Sequence, residues 1–97
     1  FGYSQQVTMI ANELHRAGNW IADDDMAEAK LCYERAMELL ALTVAVLKDT
    51  RRLHELLRFQ EMLALLYIDP AQARLNNAAL EKTLILLDST SAKLMNL

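Results

Sequence analysis

Apolar residues recur every three or four positions along most of the chain, the spacing that places side chains on one face of an α-helix. The first such segment, over residues 3–17, has one apolar stripe made of Tyr3, Val7, Ile10 and Leu14. Gly18 follows, where a left-handed residue that ends a helix is expected. We therefore predict a first helix over 3–17 and a short connection over 19–22, with Trp20 and Ile21 packed against the next helix.

A run of three carboxylates, residues 23–25, precedes the second segment. Carboxylates are favoured at helix N-termini, so a second helix is predicted from this run to about Lys48, a length of about 35 Å at 1.5 Å per residue. Its main stripe consists of Met26, Ala29, Tyr33, Ala36, Leu40, Val44 and Leu47, widened by Leu31, Leu39, Leu42 and Val46. Because the first helix is much shorter, we expect part of this apolar surface to lack cover within the chain.

Asp49 and Thr50 predict the start of a third helix, because both can cap free amide groups. The stripe expected to face the core consists of Leu53, Leu56, Leu57, Gln60, Leu63, Ala64 and Tyr67. Pro70 disfavours helical geometry in the residue before it, so this helix is predicted to end or kink at Ile68.

The start of a fourth helix is the best specified point in the sequence. Asp69 as the cap, Pro70 at the first helical position and Gln72 as the partner of a capping box are typical of a helix N-terminus. The predicted stripe is Ala73, Asn77, Leu80, Leu84 and Leu87. Residues 88–91 are predicted to end the helix, with Leu94 and Leu97 in a last turn.

The composition agrees with an all-α fold. Two glycines and one proline among 97 residues leave few of the turns that a sheet requires, and good helix formers dominate. We predict one domain, residues 1–97, folded as a small antiparallel bundle of three to four helices.

The apolar content and the charge narrow the class of partner. Apolar residues make up 54% of the chain, so some should stay exposed and favour a protein partner or self-association. The longest apolar stretch, Leu39–Leu47, is far shorter than the ~20 residues of a membrane span, so none is predicted. A net charge of −3 argues against nucleic acid, whose phosphates need clustered cations.

Cys32 is the only cysteine, which excludes an internal disulfide and fits a reducing compartment. It is predicted to be a packed thiol within the second helix. No signal or transit peptide is recognised, although a first residue of Phe1 in place of Met leaves open a preceding segment.

Residues that could perform chemistry are few. An enzyme would have to use the side chains of Glu13, His15, His54 and Glu81, and no spacing among them requires a catalytic or metal site. The acidic run at 23–25 has no glycine-containing calcium loop and is better explained by helix capping. We expect no catalytic residue, no metal ion and no cofactor.

Arginines cluster at the start of the third helix. Arg51, Arg52 and Arg58 with His54 could form a basic face that contacts an acidic peptide. Glu55 and Glu61 interrupt this face at helical spacing, so a solvated face of mixed charge is the alternative.

One local pattern resembles a known repeat. The series Ala29, Tyr33 and Ala36 is similar to the second helix of a tetratricopeptide repeat, in which small residues let a neighbouring helix approach. Neither the first helix of that motif nor a second copy is present, so a repeat array is not expected.

Over its whole length the chain resembles the small helical chaperones of flagellar and type III export, in particular the FliT type. The resemblance rests on Gly18-Asn19-Trp20 after an apolar helix, on a long second helix with an acidic start, and on three leucine-rich patterns. Those patterns are Leu65-Leu66 with Asp69, Arg74-Leu75, and the leucines from Leu80 to Leu87. Pro70 is a departure, because that family keeps the corresponding helix continuous.

The resemblance implies a cytoplasmic chaperone or adaptor that captures an amphipathic helix of an export client. The partner-binding residues expected for this role are Leu39, Leu40, Val44 and Leu47 of the second helix, with Leu80, Leu84 and Leu87 of the fourth. The second-helix set could equally belong to the core. The alternative function is a homo-oligomer, such as a dimer, whose helices complete each other's cores.

Overall fold

A computed structural model describes residues 2–87, which form four α-helices. They are α1 (Tyr3–Ala22), α2 (Met26–Val46), α3 (Thr50–Ile68) and α4 (Pro70–Leu87), and the described residues contain no strand. The all-α prediction is confirmed. The predicted end of the fourth helix at 88–91, and the last turn with Leu94 and Leu97, lie outside the described residues.

The predicted end of the first helix is wrong. Gly18 does not have a positive φ, and α1 continues through it for four more residues. The residue that turns the chain is Asp24, whose φ of 59° is left-handed. A neighbouring helix explains the glycine, since a Cβ at position 18 would lie 3.0 Å from Nδ2 of Asn77 on α4. Gly18 therefore serves close helix packing and not termination.

Aspartates cap the other three helices, as predicted. Oδ1 of Asp25 accepts a hydrogen bond from the Glu28 amide at 3.1 Å, and Oδ1 of Asp49 accepts one from the Arg52 amide at 3.1 Å. This bond is the main cause of the lowered pKa of Asp49.

The break between α3 and α4 is also confirmed, and Asp69 is the whole link. Its Oδ1 accepts a hydrogen bond from the Ala71 amide at 3.0 Å. Gln72, predicted to complete a capping box, directs its Oε1 to Nδ2 of Asn76 at 2.7 Å.

The four helices form a closed ring. Each helix packs on the next one along the chain, and α4 returns to pack on α1. Links of one to three residues make consecutive helices antiparallel. The helices α4 and α1 also run in opposite directions, since Arg74 near the start of α4 pairs with Asp24 just after α1, whereas Glu81, two turns further along α4, reaches His15. The bundle is therefore antiparallel, with α2 and α4 at opposite corners.

The core confirms most of the predicted stripes. The buried apolar residues are Val7, Ile10, Ala11, Leu14, Ala17, Ala29, Cys32, Tyr33, Ala36, Leu40, Leu56, Phe59, Leu63, Leu66, Ala73, Leu80, Leu84 and Ile85. The face of α3 was predicted incorrectly in part, because Phe59 and Leu66 are buried while Gln60 is exposed and Leu57 is 40% exposed. The packed thiol at Cys32 is confirmed.

Uncovered apolar surface is present, although the expected reason for it is wrong. With α1 extended to 20 residues it nearly matches the 21 of α2, and α2 ends at Val46. The exposed side chains of Leu42 and Val46 instead point away from the ring. None of the helices within residues 2–87 combines the length and the apolar character needed to cross a bilayer.

Candidate functional site

The residues predicted to bind a partner lie mainly inside the bundle. Leu40, Leu80 and Leu84 are almost completely buried, so no partner can reach them while the ring is closed. The other four are partly buried and pack against the core: Leu39, Val44, Leu47 and Leu87. Because α2 and α4 occupy opposite corners of the ring, their outer faces do not adjoin.

An apolar recess opens instead between α3 and α4. Leu66 and Leu80 form its buried floor, while Met62 and Leu65 of α3 form one wall, each about half exposed at 50% and 49%. Ala79 on α4 is small and leaves the space open. The recess has a volume of about 210 Å³.

Polar groups of α4 line the other edge of this recess. They belong to Gln72, Asn76 and Thr83. Each is held by a contact within α4, since Asn76 donates to Gln72 and the Thr83 hydroxyl donates to the Ala79 carbonyl at 2.9 Å. A ligand that enters thus meets an apolar floor with a fixed polar rim.

A second recess of about 200 Å³ continues the first towards the start of α3. The two share Met62 and Thr83, and the second adds Glu55, Arg58, Phe59 and Leu87. We call both together the α3–α4 groove. Its floor is apolar throughout, because Phe59 is buried at one end and Leu66 at the other.

A third recess, of about 260 Å³, adjoins the groove on the surface of α3. Its lining consists of Arg51, His54, Glu55 and Arg58, and it shares the last two residues with the groove. We call it the basic recess. It corresponds to the predicted arginine cluster. The predicted pairing of Glu55 and Glu61 with these arginines is present in part, since residues 2–87 show a contact of 3.9 Å between Arg51 and Glu55 and none that involves Glu61.

Arg52 does not belong to this recess. Its guanidinium lies over the ring of Tyr3, 4.4 Å from the centroid, and so connects the start of α3 to the start of α1. A cation over an aromatic face contributes about 0.5–1 kcal/mol at exposed sites. The predicted basic face is therefore divided, with Arg52 assigned to packing.

The four side chains that an enzyme would have used, Glu13, His15, His54 and Glu81, do not meet at one site. Glu13 is largely buried and accepts hydrogen bonds from Arg16 at 3.2 Å and from Arg35 at 3.0 Å. The bond to Glu13 raises the pKa of Arg35, which also donates to the Cys32 sulfur at 3.3 Å. Burial raises the pKa of the Cys32 thiol, which disfavours the nucleophilic thiolate.

His15 and Glu81 form a pair between α1 and α4, with Nδ1 and Oε2 3.5 Å apart. The His15 side chain is 67% exposed, so this contact lies at the surface. His54 lies on α3 in the basic recess. Of the four residues that an enzyme would have needed, His15 and Glu81 thus contact each other, and they do so at an exposed position.

The carboxylates of residues 23–25 are distributed over different tasks. Asp25 caps α2, and Asp24 pairs with Arg74 of α4. Within residues 2–87, no group of three or more histidine, cysteine or acidic side chains is arranged to hold a metal ion. Helix capping and an ion pair thus account for the contacts of Asp25 and Asp24.

Sequence reasoning missed the α3–α4 groove. Its signals were Met62 and Leu65 on α3, and Asn76, Ala79 and Thr83 at helical spacing on α4. They could be recognised only once the buried face of α3 was known. Comparison of the chain with known protein families, with curated proteins and with solved structures gives no significant match.

Proposed function

We propose that the protein is a non-enzymatic binding domain that holds an amphipathic helix of a protein partner in the α3–α4 groove. The observation that carries this proposal is the position of Met62 and Leu65, half exposed beside a floor of buried leucines. The resemblance to export chaperones adds the finer reading, in which the domain is a cytoplasmic chaperone or adaptor and the helix belongs to an export client.

The shape of the groove favours a helix as its occupant. Two antiparallel helices leave between them a furrow that a third helix can fill with side chains spaced three and four residues apart. The furrow extends from Glu55 to Leu65, ten residues or about 15 Å at 1.5 Å per residue. An occupant would thus contribute about three turns, with its apolar face inward.

The expected affinity is moderate. Complete burial of a large apolar side chain contributes about 1.5–3 kcal/mol, so covering the exposed halves of Met62 and Leu65 contributes about 1 kcal/mol each. Burial of the partner's own apolar groups adds to this favourable free energy of binding. An affinity in the micromolar range agrees with a client that must be released.

A display library of amphipathic helical peptides tests the proposal. Peptides selected by the wild-type protein should lose binding about tenfold or more with Leu65→Glu, because a carboxylate in an apolar contact is costly. Leu75→Glu is the matched control, since Leu75 is an exposed leucine of α4 that does not line the groove. Circular dichroism should remain unchanged for both variants. Equal binding by wild type and Leu65→Glu, or no selected helix at all, would contradict the proposal.

Self-association is a second candidate, and one specific observation favours it. Leu42 and Val46 stand one turn apart on the outer side of α2 and are 63% and 69% exposed. Two copies could bury these side chains against each other. Sedimentation equilibrium should then detect a dimer that Leu42→Glu dissociates, whereas a strict monomer at high concentration would exclude this candidate.

A further inference from the structure

The basic recess is continuous with the α3–α4 groove, since Glu55 and Arg58 line both. Its residues and those of the groove wall follow each other along α3 at intervals of three or four: Arg51, His54 or Glu55, Arg58, Met62 and Leu65. The stripe covers about 21 Å at 1.5 Å per residue. A helix of about four turns that lies in the groove and continues past Phe59 must therefore lie beside the arginines.

The charges of the basic recess are not fully compensated within the described chain. Arg58 has no carboxylate within salt-bridge distance among residues 2–87. Arg51 reaches Glu55 only at 3.9 Å, and its side chain is 83% exposed. Two guanidinium groups thus face one carboxylate, in a chain whose net charge is −3.

The part of the groove that lies towards Gln72 is lined by no charged side chain among the described residues. Its lining consists of leucine, methionine and alanine with uncharged polar groups. The surface is therefore asymmetric along its length, with cations at the end near the start of α3 and none at the other end. An occupant with the complementary asymmetry would pair its carboxylates with Arg51 and Arg58 and place its apolar side chains beside Met62 and Leu65.

From this continuity we infer that the partner helix is acidic at one end: it carries Asp or Glu in the one or two turns beside the basic recess and apolar side chains in the turns that fill the groove. This inference rests on the proposed function and assigns the chemistry of its partner. The contact is charge-assisted and solvent-exposed, so it contributes specificity and faster association more than affinity.

The test uses three synthetic peptides with one common apolar face. Each is an amphipathic helix of about 16 residues, and the turns at one end carry either glutamate, glutamine or lysine. Fluorescence anisotropy measures their binding to the wild type. The glutamate peptide should bind about fivefold more tightly than the glutamine peptide, and the lysine peptide more weakly than both. The difference should shrink when NaCl is raised from about 50 to about 500 mM, because salt screens exposed charges.

Variants assign the effect to the recess. Arg58→Gln should remove most of the preference for glutamate, measured as the ratio of the affinities of the glutamate and glutamine peptides for the same variant. The ratio is compared because Arg58 also lines the groove, so that its substitution can change the binding of both peptides. Lys82→Gln is the matched control, because Lys82 is an exposed cation of α4 outside the basic recess, and it should retain the preference.

The outcomes separate this inference from the proposed function. If all three peptides bind equally and Leu65→Glu abolishes their binding, the groove binds a helix but the acidic end is wrong. Equal preference for glutamate in wild type and Arg58→Gln also overturns the inference. If none of the peptides binds, both the proposed function and the inference of an acidic partner helix are wrong.

Discussion

The hydroxyl of Tyr33 donates a hydrogen bond of 2.7 Å to Oδ1 of Asn77 inside the bundle. Nδ2 of the same amide donates a bond of 2.9 Å to the carbonyl oxygen of Leu14. Asn77 is 5% exposed, and its side chain thereby connects α2, α4 and α1. A buried polar group is tolerated only when it is paired, so these bonds fix how the three helices are aligned along their length.

Removal of the Tyr33 hydroxyl should destabilise the fold. Tyr33→Phe leaves Oδ1 of Asn77 buried without this donor, and the loss is expected to lower the free energy of unfolding by about 1–3 kcal/mol. Urea denaturation followed by circular dichroism measures this change. Tyr67→Phe is the matched control, because the Tyr67 hydroxyl bonds to Glu34 at 3.3 Å in a half-buried position and should cost less. An equal loss of unfolding free energy in both variants would show that burial does not increase the contribution of the Tyr33 hydrogen bond to stability.

Gly18→Ala tests the close approach of α4 to α1. Alanine normally stabilises a helix interior by about 0.5–1 kcal/mol over glycine. Here the new methyl group would lie 3.0 Å from Nδ2 of Asn77. The side-chain amide of Asn77 is held in place by two hydrogen bonds, one donated by Nδ2 and one accepted by Oδ1. We expect a net loss of about 1 kcal/mol or more. Against an Asn77→Ala background the same substitution should become stabilising, and a double-mutant cycle in urea that finds the two changes additive would contradict this account.

Stability should fall at alkaline pH because of Tyr33. Burial raises the pKa of its hydroxyl from 10.0 to about 12. The neutral form is favoured in the folded state, so this stabilising contribution is complete below pH 10 and is lost as the pH rises towards 12. One proton changes the free energy of unfolding by about 1.4 kcal/mol per pH unit in this window. The absorbance titration of tyrosinate should show a late component that is smaller in Tyr33→Phe than in the wild type, the remainder coming from Tyr67, whose pKa is raised by the nearby Glu34 carboxylate. Identical titration curves apart from amplitude would refute the assignment.

Two neighbouring leucines on α2 should respond very differently to truncation. Leu40 is fully buried, so Leu40→Ala is expected to cost about 2–5 kcal/mol of unfolding free energy. Leu42 is 63% exposed, so Leu42→Ala should change it by less than about 0.5 kcal/mol in the monomer. Thermal unfolding at low protein concentration compares the two. A similar loss in both would mean that Leu42 is covered in solution.

Local rules predicted the helix starts well. Asp25, Asp49 and the Asp69-Pro70 pair each act within one turn of the chain, so their effect on the backbone depends little on tertiary structure. Gly18 shows the limit of such rules. A glycine after an apolar helix usually terminates it, but here α4 approaches that position, and only the packed bundle contains this information.

The buried face of α3 could not be determined from its own pattern. Apolar residues occur on nearly all sides of this helix, so a stripe through Leu53, Leu57 and Gln60 and one through Phe59 and Leu66 fit the period almost equally. Packing against α4 selects the second. The groove follows from that choice, since Met62 and Leu65 then lie at the boundary between interior and surface.

The link between α3 and α4 has a consequence for this surface. Asp69 alone joins the two helices, and the rigid ring of Pro70 follows directly. So short a hinge gives the helices little freedom to splay, and the width of the furrow between them is set before anything enters it. An incoming segment would meet a receptor that is already shaped, and recognition would then be governed by its fit and not by the ability of this hairpin to adapt.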